Sequence, residues 1–361
     1  MNKSSLAAAL ALLICLTALA QSQGEQPDSA VDPQVRLQVI ESALRNLDAY
    51  YVFPEVAKQM EAAIRARLTN MEYDRITSAK DLAASLTAHL QDISHDKHLR
   101  VVYRVPPPQA ESTQKPTPQD RESQREFVRS LNFGFERAER LDGNIGYLDL
   151  RGFMDPGIAG DTAASAMSFL ANTDALIIDL RSNGGGTPAM AVLLASYIFD
   201  AQPVHYADNY ARAGNTTRQW WTLPYVPGKR YGASKPVYIL TSRRTFSAAE
   251  GFAYHLKSMK RATIVGETTG GGANLTESRR IGEHFILFVP TGRGINPITG
   301  TNWEGVGVKP DIDVPAAQAL KAAHIDALNR TLEKATDPRR TAQIKSAIEG
   351  AMKELDDLKK K

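Results

Sequence analysis

A chain of 361 residues is long enough for two modest domains or for one large domain with appendages. Hydrophobic residues make up 43% and charged residues 23%, a globular balance that excludes wholesale disorder. The formal charge of +3 is small and dispersed, with no basic stripe interleaved with aromatics, so nucleic acid is not expected as a partner.

Residues 1–20 read as a secretory signal. Lys3 supplies the positive start, Leu6 to Leu19 the apolar region, and Ala18-Leu19-Ala20 a small-x-small cleavage site before Gln21. The segment is too short and wrongly flanked for a spanning helix, and no later stretch is long enough to be one. The single cysteine, Cys15, lies inside it, where bulky Ile14 argues against a lipoprotein processing site. The mature chain is then expected to be exported, periplasmic or secreted, and without a thiol. That excludes cysteine catalysis, thiolate metal sites and disulfides.

Residues 21–32 are polar and read as a loose leader. From Pro33 the apolar spacing is helical: Val35, Leu37, Ile40, Leu44 and Leu47, then Val56, Met60, Ile64 and Leu68. "TSAKDLAASLTAHLQDI" predicts a third helix, capped by Ser78 or Thr77. A helical bundle over 33–95 follows. "HLRVVYRV" (His98 to Val105) alternates like a strand, and the proline-rich, charged stretch from Pro106 to about Arg125 reads as an exposed connector, so 96–140 is strand plus connector.

Regular structure is expected to resume at "NIGYLDLRGF" (Asn144 to Phe153). Strand-like runs then alternate with helix-like ones. "ALIIDL" precedes "PAMAVLLASYIF", "PVYIL" precedes "SAAEGFAYHLKSM", and "ATIVGE" and "HFILFVP" follow. That order predicts an α/β domain over 141–315. Residues 316–361 read as a charged helical tail broken at Pro338.

The chemistry-bearing candidates centre on Ser247, where an apolar strand gives way to a helix and the free amides of a first helical turn face the hydroxyl. Ser247-Ala248-Ala249-Glu250 also reads as a Ser-x-x-Glu capping box, which needs no chemistry. The GxSxG pattern is absent, because Thr245 and Ala249 replace both glycines. A serine nucleophile needs a base. His89 and His324 fall on helices and read as surface residues, and His255 lies two turns down the helix from Ser247, too far along the axis to reach it. His98, at the entry to a strand, taken alone reads more readily as a structural histidine than as a base. Glu304 lies in a glycine-rich turn beside Trp303, where it is either a partly shielded acid able to hold an imidazolium or a solvated turn residue.

Gly184-Gly185-Gly186 and Gly270-Gly271-Gly272 lack the Lys-Ser/Thr of a P-loop and the spacing of a dinucleotide site. Amide donation to an oxyanion is the better use of the first run. Asp179 and Arg181 read as a structural ion pair. No histidine or acid spacing along the sequence indicates a metal site.

Four stretches, "DKHLRVVY", "IIDLRSNGGG", "TSRRTFSAAEGFA" with "VGETTGGGAN", and "WEGVGVKPDIDV", occur in an order and spacing that resembles the serine peptidase family of the C-terminal processing (tail-specific) proteases. The chain looks closest to the branch holding the tricorn protease core and the interphotoreceptor retinoid-binding protein modules. The resemblance runs from about Pro33 to Pro315 and implies a crotonase-like α/β catalytic core behind the helical bundle. It places Ser247 on the nucleophile, and it puts Gly272 where the tail-specific proteases carry a base lysine, so a Ser–Lys dyad is unavailable. His98 and Glu304 match the tricorn-like histidine and glutamate, with Gly185 and Ala248 supplying the oxyanion amides. His95, in the dipeptide Ser94-His95, is the alternative base. Roughly forty residues separate Arg104 from Asn144, too few for the PDZ domain that tail-specific proteases insert there.

The resemblance implies a serine-type peptidase acting on peptides or unfolded protein through an acyl-enzyme, with no cofactor or metal. Two other readings stand beside it. One is a carrier of retinoid- or fatty-acid-like ligands, with Trp220 and Trp221 of the Asn209–Gly228 loop at its pocket; the other is an esterase on the same three side chains.

Overall fold

A parallel sheet buried on both faces organises most of the chain. Its strands β3 (Ile145–Leu150), β4 (Ala175–Asp179), β7 (Val237–Thr241) and β8 (Thr263–Gly266) follow the expected apolar runs, and β2 (Phe135–Leu141) and β11 (Ile312–Asp313) add edge strands outside those runs. They lie in the order β11-β8-β7-β4-β3-β2, with β2 antiparallel at one edge. Every residue of β3, β4 and β7 is buried, which explains why these strands read as continuous apolar runs and not as alternating ones. The computed structural model describes residues 27–105 and 118–360. The signal segment 1–20 and most of the Pro106–Arg125 stretch lie outside the described residues.

Helices α5 (Pro156–Leu170), α6 (Pro188–Ile198) and α7 (Ala248–Ser258) cover one face of this sheet. The first two begin alike. Asp155 and Thr187 cap the opening turns with their side chains, and a proline follows at the first helical position, where no amide bond is lost. The opposite face is closed by α8 (Ala316–Leu332) and α9 (Pro338–Lys359). The expectation of a charged tail is therefore corrected. Pro338 does divide two helices, but Ala319, Ala323 and Ala327 form a buried stripe at every fourth position, packed with Leu328 and Ile344 on Ile145, Ile177 and Leu240. Small alanines let the helix lie close to the sheet, while its other faces carry the charge that suggested a tail.

A second sheet, antiparallel, has the order β1 (Arg100–Tyr103), β10 (Phe285–Ile295), β5 (His205–Ala211) and β6 (Thr216–Trp221), with β9 (Asn274–Arg280) paired to β10. Its first strand is β1 (Arg100–Tyr103), the expected strand after His98. Helices α1 (Pro33–Tyr50), α2 (Pro54–Thr69) and α3 (Ala79–Ser94) pack on it through Ile40, Leu44, Leu47, Met60, Leu86 and Leu90 against Leu99, Val101, Leu287 and Val289. Each such fully buried aliphatic side chain contributes about 1.5–3 kcal/mol relative to exposure. The bundle is thus one layer of a helix-on-sheet unit. Ser78 is the α3 cap, accepting from the Asp81 N–H at 3.0 Å.

Three local expectations change. Residues 27–32 are not loose: Asp32 caps α1, and the Val31 N–H donates to Thr77 O at 2.8 Å. Regular structure resumes before Asn144, at α4 (Pro118–Ser130), whose Val128 is buried in the main core. Asn209–Gly228 is largely a hairpin, β5 (His205–Ala211) and β6 (Thr216–Trp221), and not a loop.

Candidate active site

Strands β4 and β7 are neighbours, so the loops after their C-terminal ends meet. Thr245 Oγ1 donates to Leu180 O at 2.8 Å and the Phe246 N–H to Asn183 O at 3.1 Å, which fastens the serine turn to the glycine loop. Ser247 has φ +55° and ψ −123°, a strained backbone for a residue with a Cβ. This is the sharp strand-to-helix turn that exposes a nucleophile in GxSxG proteins, formed here without either glycine.

Glu250 holds that turn in place. It is fully buried and accepts from the Ser247 N–H (2.9 Å), the Gly271 N–H (2.6 Å), the Gly272 N–H (2.9 Å) and the Thr269 hydroxyl. Burial pushes its carboxyl up, and these donors oppose the shift. The capping-box reading of Ser247–Glu250 is therefore correct as far as it goes. It also gives the second glycine run a use, since two of its amides serve Glu250 and not a phosphate.

The expected oxyanion amides divide. The Ala248 N–H, an orphan of the first turn of α7, has no hydrogen-bond partner among the described residues. The Gly185 N–H already donates to Asn183 Oδ1 at 2.8 Å, which corrects its expected role. Gly185 instead allows close approach: with φ +108°, a Cβ there would lie 2.8 Å from Ser247 Cβ and 3.0 Å from Ala248 N. The next residue, Gly186, borders the same cavity as Ser247.

That cavity has a volume of about 580 Å³ and separates the two sheets' loops. Ser247, Ala248 and Gly186 border it from the parallel side; His98, Ala273 and Asn274 border it from the antiparallel side. Val192, Trp220, Phe252, Leu275 and Trp303 give it an apolar lining.

His98 is 3% exposed, and neither ring nitrogen has a hydrogen-bond partner. Its ring packs on Phe246, the residue before the serine, with centroids 4.6 Å apart. Burial, with a smaller contribution from the Arg100 charge, pushes the imidazole down to about 3, so it is neutral. His95 is exposed at the left-handed C-cap of α3 and does not border the cavity.

Glu304 Oε2 accepts from the Ala273 N–H (2.6 Å) and the Asn274 N–H (3.0 Å), while its buried Oε1 has no partner. Burial first, then nearby Asp96, pushes its carboxyl up to about 7. Asp96 is the residue that reading the sequence missed. It is 1% exposed, accepts from Asn274 Nδ2 at 2.7 Å, the His98 N–H at 3.0 Å and the Tyr51 hydroxyl at 3.3 Å, and burial raises its carboxyl too. One ring nitrogen of His98 and one carboxylate oxygen each of Asp96 and Glu304 lie within 4.8 Å of one another. Those three are the metal-capable group among the described residues. No spacing rule along the chain could reveal it, because its acids meet through tertiary hydrogen bonds to Ala273 and Asn274.

Gly272 stands against this imidazole. A Cβ there would lie 2.7 Å from His98 Cε1 and 2.2 Å from Phe246 Cζ, so this position accepts no side chain while the two rings stay where they are.

Three other histidines are accounted for structurally. His255 is buried at the same cavity and hydrogen-bonded to Asn296 Nδ2 at 2.8 Å. The surface reading of His324 is wrong: it is 5% exposed and bonded to Asp142 O. His89 is half-buried against the Tyr73 hydroxyl. Asp179 and Arg181 form the expected structural ion pair, at 2.6 Å.

Comparison with known proteins matches residues 144–314 to "Peptidase family S41" and residues 34–135 to "N-terminal domain of Peptidase S41 in eukaryotic IRBP". The chain belongs to peptidase family S41. Among curated S41 relatives, a tail-specific protease of Haemophilus influenzae is 33% identical over 114 residues, covering 30% of this chain and 14% of that protein. The tricorn protease of Thermoplasma volcanium is 26% identical over 199 residues, covering 54% of this chain and 18% of that protein. The chain thus spans a small part of these relatives. A solved lipoprotein structure from Streptococcus agalactiae shares the fold, with TM-score 0.53, 13% identity, and coverage of 86% of this chain and 99% of that one. Among the described residues, no helix of this S41 chain is long and apolar enough to cross a membrane.

Proposed function

We propose that this chain is an exported serine-type peptidase that hydrolyses peptide bonds through an acyl-enzyme, with Ser247 as nucleophile, His98 as base and Glu304 as the acid facing that base. The observation that carries the reading is the shared cavity. A serine on a strained strand-to-helix turn borders it from one side, and an unpaired neutral imidazole borders it from the other. The Gly272 backbone supports the choice of base. Where a lysine stands in the tail-specific proteases, this chain has no side chain, and the space is taken by the His98 and Phe246 rings.

In the proposed mechanism, His98 takes the Ser247 hydroxyl proton as Oγ attacks a peptide carbonyl. The developing oxyanion is met by the Ala248 amide and, in place of Gly185, by the amide of Gly186. The imidazolium forms beside Glu304 and Asp96, where negative charge offsets the cost of protonating a buried ring. Protonation of the leaving amine by His98 releases the first product, and water attack on the acyl-enzyme returns the enzyme. The apolar cavity would hold a large apolar side chain of the substrate. The core is read as crotonase-like, with the helical unit of 33–95 and the α/β unit of 141–315 closing on one site. Export rests on the signal-like residues 1–20.

The experiment is cleavage of an unfolded protein substrate by the chain beginning at Gln21 and by its Ser247→Ala variant. Loss of cleavage in the variant, with an unchanged melting temperature, is the expected result. Equal cleavage by both removes Ser247 from the reaction.

A further inference from the structure

One buried carboxylate, Asp96, and one half-buried carboxylate, Glu304, lie close to one buried imidazole with no cation among them. Neither Asp96 nor Glu304 is in an ion pair among the described residues; their partners are a phenol, a carboxamide and backbone amides. The nearby cations are engaged elsewhere. Lys97 Nζ donates to Gly270 O, and the Arg100 guanidinium lies over the Phe288 ring at 4.4 Å. An acid pair shielded from water without a counter-charge resists ionisation and gains from any positive charge placed beside it. During peptide hydrolysis the imidazolium would supply that charge briefly. A metal ion would supply it for as long as it stayed bound.

We propose that Asp96, His98 and Glu304 form a binding site for one Zn²⁺-class ion, which occupies the general base and so reversibly inhibits the peptidase. The donor set is one imidazole nitrogen and two carboxylate oxygens, a borderline set that suits zinc better than magnesium or calcium. Both His98 nitrogens and Glu304 Oε1 are buried and without partners, so two of the three ligands are not already satisfied by the protein, while Asp96 accepts from Tyr51, Asn274 and the His98 N–H. Donor atoms of a tetrahedral zinc site lie roughly 3.5 Å apart, and the present separations of up to 4.8 Å need only a modest contraction. Glu304 can provide it, because its Oε1 is unheld and it sits between Trp303 and Gly305, whose φ is +72°. An outer shell is already present: the Tyr51 hydroxyl and Asn274 carboxamide orient Asp96, and two amides orient Glu304. Of the three ligands, His98 borders the cavity.

Inhibition rests on the peptidase reading; metal binding does not, and the test separates the two. Calorimetric titration of untagged Ser247→Ala chain with zinc chloride is expected to give one saturable equivalent. Adding Glu304→Gln or, separately, Asp96→Asn should weaken it by about tenfold or more. Co²⁺ in the same protein should give visible absorption bands of a low-coordinate site, absent from both double variants. If Glu304→Gln does not fold, as judged by circular dichroism, Asp96→Asn decides alone, and the loss of the Co²⁺ bands on zinc addition to the Ser247→Ala protein gives a further readout. No saturable equivalent, or one indifferent to both carboxylates and so located elsewhere (at the His205–Asp208 pair, for instance), overturns the proposal. In the Ser247-containing chain, zinc should stop peptide cleavage at the same concentration at which it binds, and a chelator should restore it. Binding without inhibition would remove the inhibitory half of the proposal alone.

Discussion

The two sides of the cavity are held in different ways. On the parallel-sheet side, Ser247 is fixed by backbone and side-chain hydrogen bonds to two neighbouring strand ends and by the buried Glu250. On the antiparallel side, the His98 ring makes no hydrogen bond and is positioned by contact with Phe246 and Gly272. One half of the site is rigidly bonded, while on the other the imidazole is placed by packing and keeps both nitrogens unpaired. In the proposed mechanism, a nucleophile whose geometry is built in advance faces a base with both ring nitrogens free. Such sites commonly tighten only around substrate.

The largest expected effect tests whether the two sides act as one unit. Ser247→Ala and His98→Ala should each lower kcat/KM for peptide cleavage by at least about 10⁴-fold, and the double variant should be scarcely worse than either. Additive losses would mean that the two residues do not act together.

Next in size is the packing that places the base. Gly272→Ala puts a methyl into both rings and should lower kcat/KM by about 100-fold, the order expected for a displacement near 1 Å. Gly270→Ala is the sharpening control. Its Cβ meets Phe246 Cδ2 at 2.7 Å and does not reach His98, so it should cost less. Equal losses would place the sensitivity in Phe246 and not in the base.

The smallest effect concerns a histidine that the chemistry does not use. Burial pushes His255 down to about 3, below the ordinary unfolded value near 6.5. The unfolded chain therefore binds the proton more readily. The stability due to neutral His255 is fully present above about pH 6.5 and is lost as pH falls from there toward 3. Between pH 7 and pH 5 the loss from this group is about 2 kcal/mol. Urea denaturation of the protein and of His255→Asn at the two pH values should show a smaller decline in the variant. Identical declines would contradict it.

Much of this was legible in the sequence because the signals were local. The apolar runs of β4 and β7, the glycines after β4 and the serine at the start of α7 lie within short windows, and the resemblance joined them to His98 and Glu304. What was not legible depends on tertiary contact. Asp96 stands two residues before His98, and only its burial and its bond to Asn274 mark it out. Gly185 read as an amide donor because the side chain of Asn183, two residues earlier, was not seen to take that amide. Helices α8 and α9 read as a tail because an alanine stripe is a weak hydrophobic signal, although it lies flat on the sheet. His324 read as a surface residue for the same reason, since its burial comes from that docking.

Labelling with an active-site-directed fluorophosphonate, followed by peptide mapping, tests the central claim most directly. The account predicts one adduct, on Ser247, formed at a rate that falls at least about 100-fold in His98→Ala and is unchanged in His95→Ala. An adduct on another residue, or a rate that depends on His95 and not on His98, would contradict it.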